Sequence, residues 1–161
     1  MIHLAPYRAA RLTVFLNPQS DPQGIGYHVN QASIAIGSGG FMGLGFGKSL
    51  QKYNYLPEPM GDSIFAIYNE EMGFLGAILM ISIFGFIFWR GMLIAKNAPD
   101  TFGRLLAGGI SIGFITQAFI NMAAISGLMP LTGIPLPFIS YGGTSLAITL
   151  ANMGILLNIS K

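Results

Sequence analysis

The chain holds six acidic side chains in 161 residues. Three of them, Asp62, Glu70 and Glu71, sit close together at the head of a long uncharged run. Charge is costly to keep at the mouth of a membrane span, so these residues invite a functional reading. A Pro57-Glu58-Pro59 turn delivers Asp62 to the start of a predicted helix, which is uncharged from Met72 to Trp89. If residues 63–89 form one helix, a rise of about 1.5 Å per residue puts Asp62 about 15 Å above Met72, at headgroup level or just outside. Glu70 and Glu71 then lie near the boundary, roughly 80° and 180° around the helix from Asp62. They do not share its face, so this helix alone does not predict a paired acid and nucleophile acting on one sugar. A single carboxylate at that depth can act as a general base on a hydroxyl of a headgroup sugar. It can also hold a divalent metal against a pyrophosphate. The plainer alternatives are a helix N-cap for Asp62 and interfacial charges near a helix N-terminus for Glu70 and Glu71.

A second candidate is the stretch Pro130–Ser145, which combines Pro135, Pro137, the Gly142-Gly143 pair and a cap-like Thr144-Ser145. A loop of this kind at membrane depth must be packed in protein or line a cavity, because lipid cannot satisfy its backbone. Its free N–H groups, followed by a helix N-terminus, suit an anionic group such as phosphate. A rigid connector between two spans explains the same residues. His3 and His28 have no second ligand at metal spacing and read as solvated or structurally satisfied. Gln117 and Asn121, four apart, form a polar stripe suited to bonding between helices, and Gly108, Gly109, Ser111 and Gly113 permit close helix contact.

These sites need a membrane scaffold. The composition is 52% hydrophobic and 9% charged, against about 25% charged for a soluble domain. The mean hydropathy is +0.61. There is no cysteine, which excludes disulfides and thiolate metal sites, and a net charge of +2 does not argue for nucleic acid. The N-terminus reads as the tail of an earlier helix followed by a loop, so the chain is expected to be a fragment of a longer protein. Turn residues place irregular structure over 16–26, and 27–36 suits a short helix. Gly37, Gly39, Gly40, Gly43, Gly45 and Gly47 make 37–47 a poor helix. Segment 27–47 therefore suits a re-entrant or surface-lying piece packed on other spans.

Three stretches qualify as spans: Met72–Trp89, uncharged for 18 residues, Leu105–Leu128 for 24 and Thr144–Ser160 for 17. The expected fold is all-α and polytopic, with a large extracytoplasmic loop (1–71, with short helices) followed by a three-helix transmembrane region (72–161, spans about 72–89, 105–128 and 144–160). Arg90, Lys96 and Arg104 put the first short loop in the cytoplasm, with Lys161 at the C-terminus on the same side. By parity the acidic segment and loop 129–143 face outside together. Arg8 and Arg11 then also lie outside, against the trend, although long loops largely escape the rule.

Three long motifs occur in order: RLTVFLNPQSDPQGIGY, QASIAIGSGGFMGLGFGKSLQKYNYLPEPMGDSIFAIYNEEMGFLG and GLMPLTGIPLPFISYGGTSL. Across essentially the whole chain they resemble the C-terminal part of the SEDS family (shape, elongation, division and sporulation proteins of the FtsW, RodA and SpoVE group). The LPEP turn and the last loop look closer to the FtsW/SpoVE branch. The resemblance implies a bacterial cytoplasmic (inner) membrane protein of about ten spans, of which this chain would be the large outer loop before the eighth span and the last three spans. It implies a peptidoglycan glycosyltransferase that polymerises lipid II outside the membrane, in division, elongation or sporulation. Its partners would be a class B penicillin-binding protein as transpeptidase and other division or elongation membrane proteins, with no nucleic acid. The family's essential aspartate, in the motif usually written TDFIFA, falls on Asp62, with Gly61 and Ser63 departing from the usual Thr and Phe. Its LPE and EE glutamates fall on Glu58, Glu70 and Glu71, and its SYGGSS loop on Ser140–Ser145, with Gly142, Gly143 and Thr144 inside it. On this pattern Asp62 is the base, and Lys48, Lys52, the 142–145 amides, a divalent cation (magnesium or manganese) or basic residues from the rest of the protein would face the pyrophosphate leaving group. Three spans and a loop are too few to enclose donor and acceptor, so the chain alone is expected to be inactive. The alternative activities are a lipid II flippase, which would line a path through the spans with charge, and a non-catalytic division scaffold.

Overall fold

A computed structural model describes residues 6–17, 21, 24–49 and 61–161. Among these residues all regular structure is helical: α1 (Pro6–Leu16), α2 (Ile25–Ser38), α3 (Ile64–Asn97), α4 (Thr101–Ile125) and α5 (Gly143–Ile159). Two helices, α3 and α4, are long and apolar enough to cross a membrane by length and composition, and α5 is a shorter apolar helix. Their outer faces are strongly apolar, with Leu79, Phe86, Trp89, Phe119 and Ile148 all exposed. Water does not tolerate a continuous face of this kind, whereas lipid or further apolar helices do.

α3 and α4 form an antiparallel pair. Ala98, extended ahead of Pro99, stops α3, and Asp100 starts α4 by accepting a hydrogen bond from Gly103 N–H at 2.8 Å. The pair packs closely where Gly91 meets Ser111, since a Cβ on Gly91 would overlap the serine hydroxyl. Phe84 and Phe114 carry the contact further, with ring centroids 5.5 Å apart. α4 ends in a Schellman turn, in which Leu128 N–H reaches Ala123 O and Gly127 N–H reaches Ala124 O around a positive-φ Gly127. Arg90 and Lys161 line one cleft of about 540 Å³, so the C-termini of α3 and α5 share an end of the molecule.

The helix expected over 63–89 continues to Asn97, and it is broken. Gly73 leaves helical geometry (φ 65°, ψ −162°), a region that only glycine enters without strain. The glycine-rich segment after α2 fills the break. Leu44 and Gly45 N–H groups donate to the Glu70 and Glu71 carbonyls at 3.0 Å, while Phe74 and Leu75 N–H groups donate to the Gly40 and Phe41 carbonyls at 3.0 and 3.3 Å. An unbroken helix would join these same four groups of α3 to each other, 74 to 70 and 75 to 71. The loop takes over both halves of the exchange. Gly43 lies so close to the Glu71 backbone that no Cβ would fit. Segment 27–47 is therefore a helix and loop packed on α3, as its composition suggests. α2 runs over Ile25–Ser38, longer than the short helix expected at 27–36.

Candidate functional site

Asp62 stands just ahead of α3 and is half-buried. It is not the helix cap: the N-cap is Ser63, which makes no side-chain cap bond. Asp62 is instead joined to the loop after α4. The Asn121 side chain, buried on α4, donates from Nδ2 to the Asp62 carbonyl at 3.0 Å and to the Ile134 carbonyl at 2.7 Å. Gly133 presents its open face to the acid: a Cβ there would sit 3.5 Å from Asp62 Oδ2 and 3.6 Å from Arg11 Nη2. Arg11 donates from Nη1 to the Leu131 carbonyl at 2.8 Å, and Gln117 donates from Nε2 to the Pro135 carbonyl at 2.9 Å. Three side chains from α1 and α4 thus satisfy the carbonyls of 131, 134 and 135 within the protein. The acid and the loop lie at one end of the molecule, and the basic ends of α3 and α5 lie at the other. Among the described residues, Asn121 Oδ1 and Thr132 Oγ1 beside this cluster are buried with no hydrogen-bond partner.

Arg11 and Asn121 are the residues that reading the sequence misses as site groups. The one available signal for Arg11 is its place on the acidic side of the chain, where the charge rule disfavours it. The polar stripe of Gln117 and Asn121 does bond, but to loop backbone and to Asp62 rather than to another helix's side chains.

The other candidate residues form separate groups. Glu70 is 1% exposed and accepts a hydrogen bond from the buried Ser49 hydroxyl, and Glu71 is also buried. Both belong to the α3 break and stand apart from the Asp62 cluster. Lys48 is exposed at the end of the glycine-rich segment. Lys52 and Glu58 lie outside the described residues. Ser140 is buried and accepts from the Leu136 N–H at 2.7 Å, so its hydroxyl holds the loop's shape. The expected Thr144-Ser145 cap is replaced by Gly142, and both residues lie inside α5, whose N-terminus carries no side-chain cap. Ser140, Tyr141, Gly142 and Gly143 line an open groove of about 570 Å³ with Ile64, two residues from Asp62. Phe138 forms part of the groove wall with positive φ (64°), held against Phe114 at 5.8 Å between ring centroids. The acid, a guanidinium and an uncapped helix start therefore surround one end of the molecule.

A family profile described as "Cell cycle protein", FtsW/RodA/SpoVE, matches residues 1–161. The chain belongs to the FtsW/RodA/SpoVE family. It is 49% identical over 157 residues to Stage V sporulation protein E of Bacillus subtilis, covering 98% of this chain and 43% of that protein. It is 50% identical over 160 residues to the probable peptidoglycan glycosyltransferase FtsW of Trichlorobacter lovleyi, covering 99% and 42%. Against the peptidoglycan glycosyltransferase MrdB of Escherichia coli the identity is 41% over 154 residues, covering 95% and 42%. A solved structure described as "Structural coordination of polymerization and crosslinking by a peptidoglycan synthase complex" superposes with a TM-score of 0.75 at 28% identity, covering 98% of this chain and 43% of that one. A crystal structure of a Thermus thermophilus rod shape determining protein RodA variant matches with a TM-score of 0.60 at 33% identity, over 62% of this chain and 34% of that one. The chain thus spans less than half the length of these FtsW/RodA/SpoVE relatives. Family membership and its apolar helices make it a membrane protein.

Proposed function

We propose that the full gene product containing this chain is a peptidoglycan glycosyltransferase that polymerises lipid II, with Asp62 as its general base. The observation that carries this reading is the joining of Asp62 to the 131–135 loop, which puts a half-buried carboxylate beside a guanidinium and an open groove. Asp62 takes the proton from the 4-hydroxyl of the acceptor sugar as that oxygen attacks the anomeric carbon of the donor chain. The bond from that carbon to undecaprenyl pyrophosphate breaks, with inversion, and the pyrophosphate leaves carrying the electron pair. Arg11, Lys48, Lys52 and the first amides of α5 are the positive groups of this chain that would face the leaving group. Ser140, Gly142 and Gly143 line the groove that would hold the substrates, and Glu58, Thr144 and Ser145 would contact them. Among the described residues no three His, Cys, Asp or Glu side chains converge on a metal site. Asp62 is the acid of this cluster among the described residues, and a divalent cation held there would neutralise the pyrophosphate.

In this reading α3, α4 and α5 are three spans of the bacterial cytoplasmic membrane. Asp62 and residues 126–142 face outside, and Arg90, Lys96, Arg104 and Lys161 face the cytoplasm. Residues 1–71 form the extracytoplasmic segment. The chain alone is inactive because it cannot enclose both substrates, and the whole protein works beside a class B penicillin-binding transpeptidase and other division or elongation proteins. A flippase would carry charge along its spans, whereas positions 72–89, 105–128 and 144–160 carry none. Purified full gene product incubated with lipid II tests the assignment. Glycan strands are the expected product. Their absence, together with movement of lipid II across vesicles, would favour translocation, and neither result would leave a scaffold.

A further inference from the structure

Ser63 stands at the N-cap of α3, yet its hydroxyl makes no bond to its own helix. A serine in this position ordinarily turns its oxygen to the first free N–H groups. Here the side chain is fully buried, and its Oγ lies 2.5 Å from Nε2 of His28 on α2. The preceding residue is Asp62, whose own carbonyl is held by Asn121 from α4 at 3.0 Å. The peptide carrying the acid is therefore clamped from two helices at successive residues. Ser63 is also where the motif around Asp62 departs from its family wording, with a hydroxyl in place of an aromatic ring. Only the hydroxyl can take a hydrogen bond from an imidazole.

We propose that His28 is a positioning residue for Asp62, setting the direction of the carboxylate through the Ser63 hydroxyl. This rests on the reading of Asp62 as the base. A neutral imidazole can accept the serine proton at Nε2 or donate its own from Nε2, and either arrangement fixes the same pair of atoms. A base must reach its proton at hydrogen-bond distance, and a misplacement of about 1 Å costs up to roughly a hundredfold in rate. Without His28, the peptide that carries the acid loses its tie to α2. The loss falls on the chemical step, because His28 acts on the placement of the acid through Ser63.

The test compares His28→Ala, His28→Gln, Ser63→Ala, the His28→Ala/Ser63→Ala double variant and Asp62→Asn in the full gene product, measured by lipid II polymerisation. His28→Ala and Ser63→Ala should each lower kcat roughly ten- to a hundredfold with KM nearly unchanged. Gln places an amide nitrogen near the position of Nε2, so His28→Gln should recover most of the rate. The double variant should lose less than the product of the two single losses, because the His28–Ser63 bond is shared by both. Wild-type kcat in His28→Ala, a His28→Gln as slow as His28→Ala, or single losses that multiply fully in the double variant would each overturn the proposal. Asp62→Asn separates the two claims. If it polymerises at the wild-type rate the base assignment itself falls, and if it is inert while His28→Ala is unimpaired only the role of His28 falls.

Discussion

Replacing Asn121 tests how the acid is joined to its loop. Its Nδ2 donates to two carbonyls, those of Asp62 and Ile134, from a side chain that is almost wholly buried. Asn121→Leu keeps the volume and removes both donors. Each orphaned buried carbonyl costs about 1–3 kcal/mol. The substitution also removes Asn121 Oδ1, which is buried with no partner among the described residues and so already carries a penalty of similar kind. The net loss should be about 2–3 kcal/mol. Asn121→Asp should be worse, because it sets a carboxylate against two carbonyl oxygens in a buried site. Thermal unfolding in detergent reads the stability order wild type, Leu, Asp. If the lost energy falls on the placement of Asp62, lipid II polymerisation by the Leu variant should drop roughly 30- to 150-fold. A Leu variant with wild-type melting and wild-type rate would show that this side chain does not hold Asp62 to the loop. An Asp variant more stable than the Leu one would refute the assignment of two donors at this site.

Other consequences follow from the helix break and from Arg11. Gly73→Ala forces a Cβ into a left-handed conformation and against the backbone of Met42 and Gly43, so it should destabilise by more than about 3 kcal/mol and lower expression of folded protein. Ser49→Ala removes a hydroxyl donor from the buried Glu70 carboxylate, at about 1–3 kcal/mol read by unfolding, and adding Glu70→Gln should recover part of that loss. Arg11→Ala leaves the Leu131 carbonyl without its guanidinium, which should cost about 1.5–3 kcal/mol in unfolding measurements. Arg11→Lys should restore only part, because an ammonium lacks the planar fork.

The long apolar helices are legible because an uncharged run of this length marks an apolar helix. Their ends are less so. The first uncharged stretch stops at Trp89, but the helix continues through Arg90 and Lys96 to Asn97, where Ala98 and Pro99 end it. Long basic side chains let a helix outlast its apolar stretch. The break in α3 is not legible from Gly73, since a lone glycine is tolerated in a helix. Its signal lies in the distant glycine run at 39–47, whose N–H and C=O groups take over the hydrogen bonding. The shared side of Asp62 and the 131–135 loop is legible from the distribution of Lys and Arg alone. The ties that fix the site are not, because Arg11 meets Leu131 across 120 positions and Asn121 meets Asp62 across 59. No local pattern specifies such pairings. Residue type leaves the caps open at both helix starts: Ser63 stands at α3 beside Asp62, which caps about equally well, and Gly142 stands where Thr144 and Ser145 are the better capping side chains. Cap geometry depends on backbone angles that residue type only biases.

The most direct measurement is glycan strand formation by the purified full gene product carrying Asp62→Asn, with lipid II binding and thermal unfolding measured on the same sample. A base at position 62 predicts a folded protein that binds lipid II and makes no polymer, with Asp62→Glu recovering little because the carboxylate is displaced. Polymer made by Asp62→Asn at the wild-type rate would contradict it.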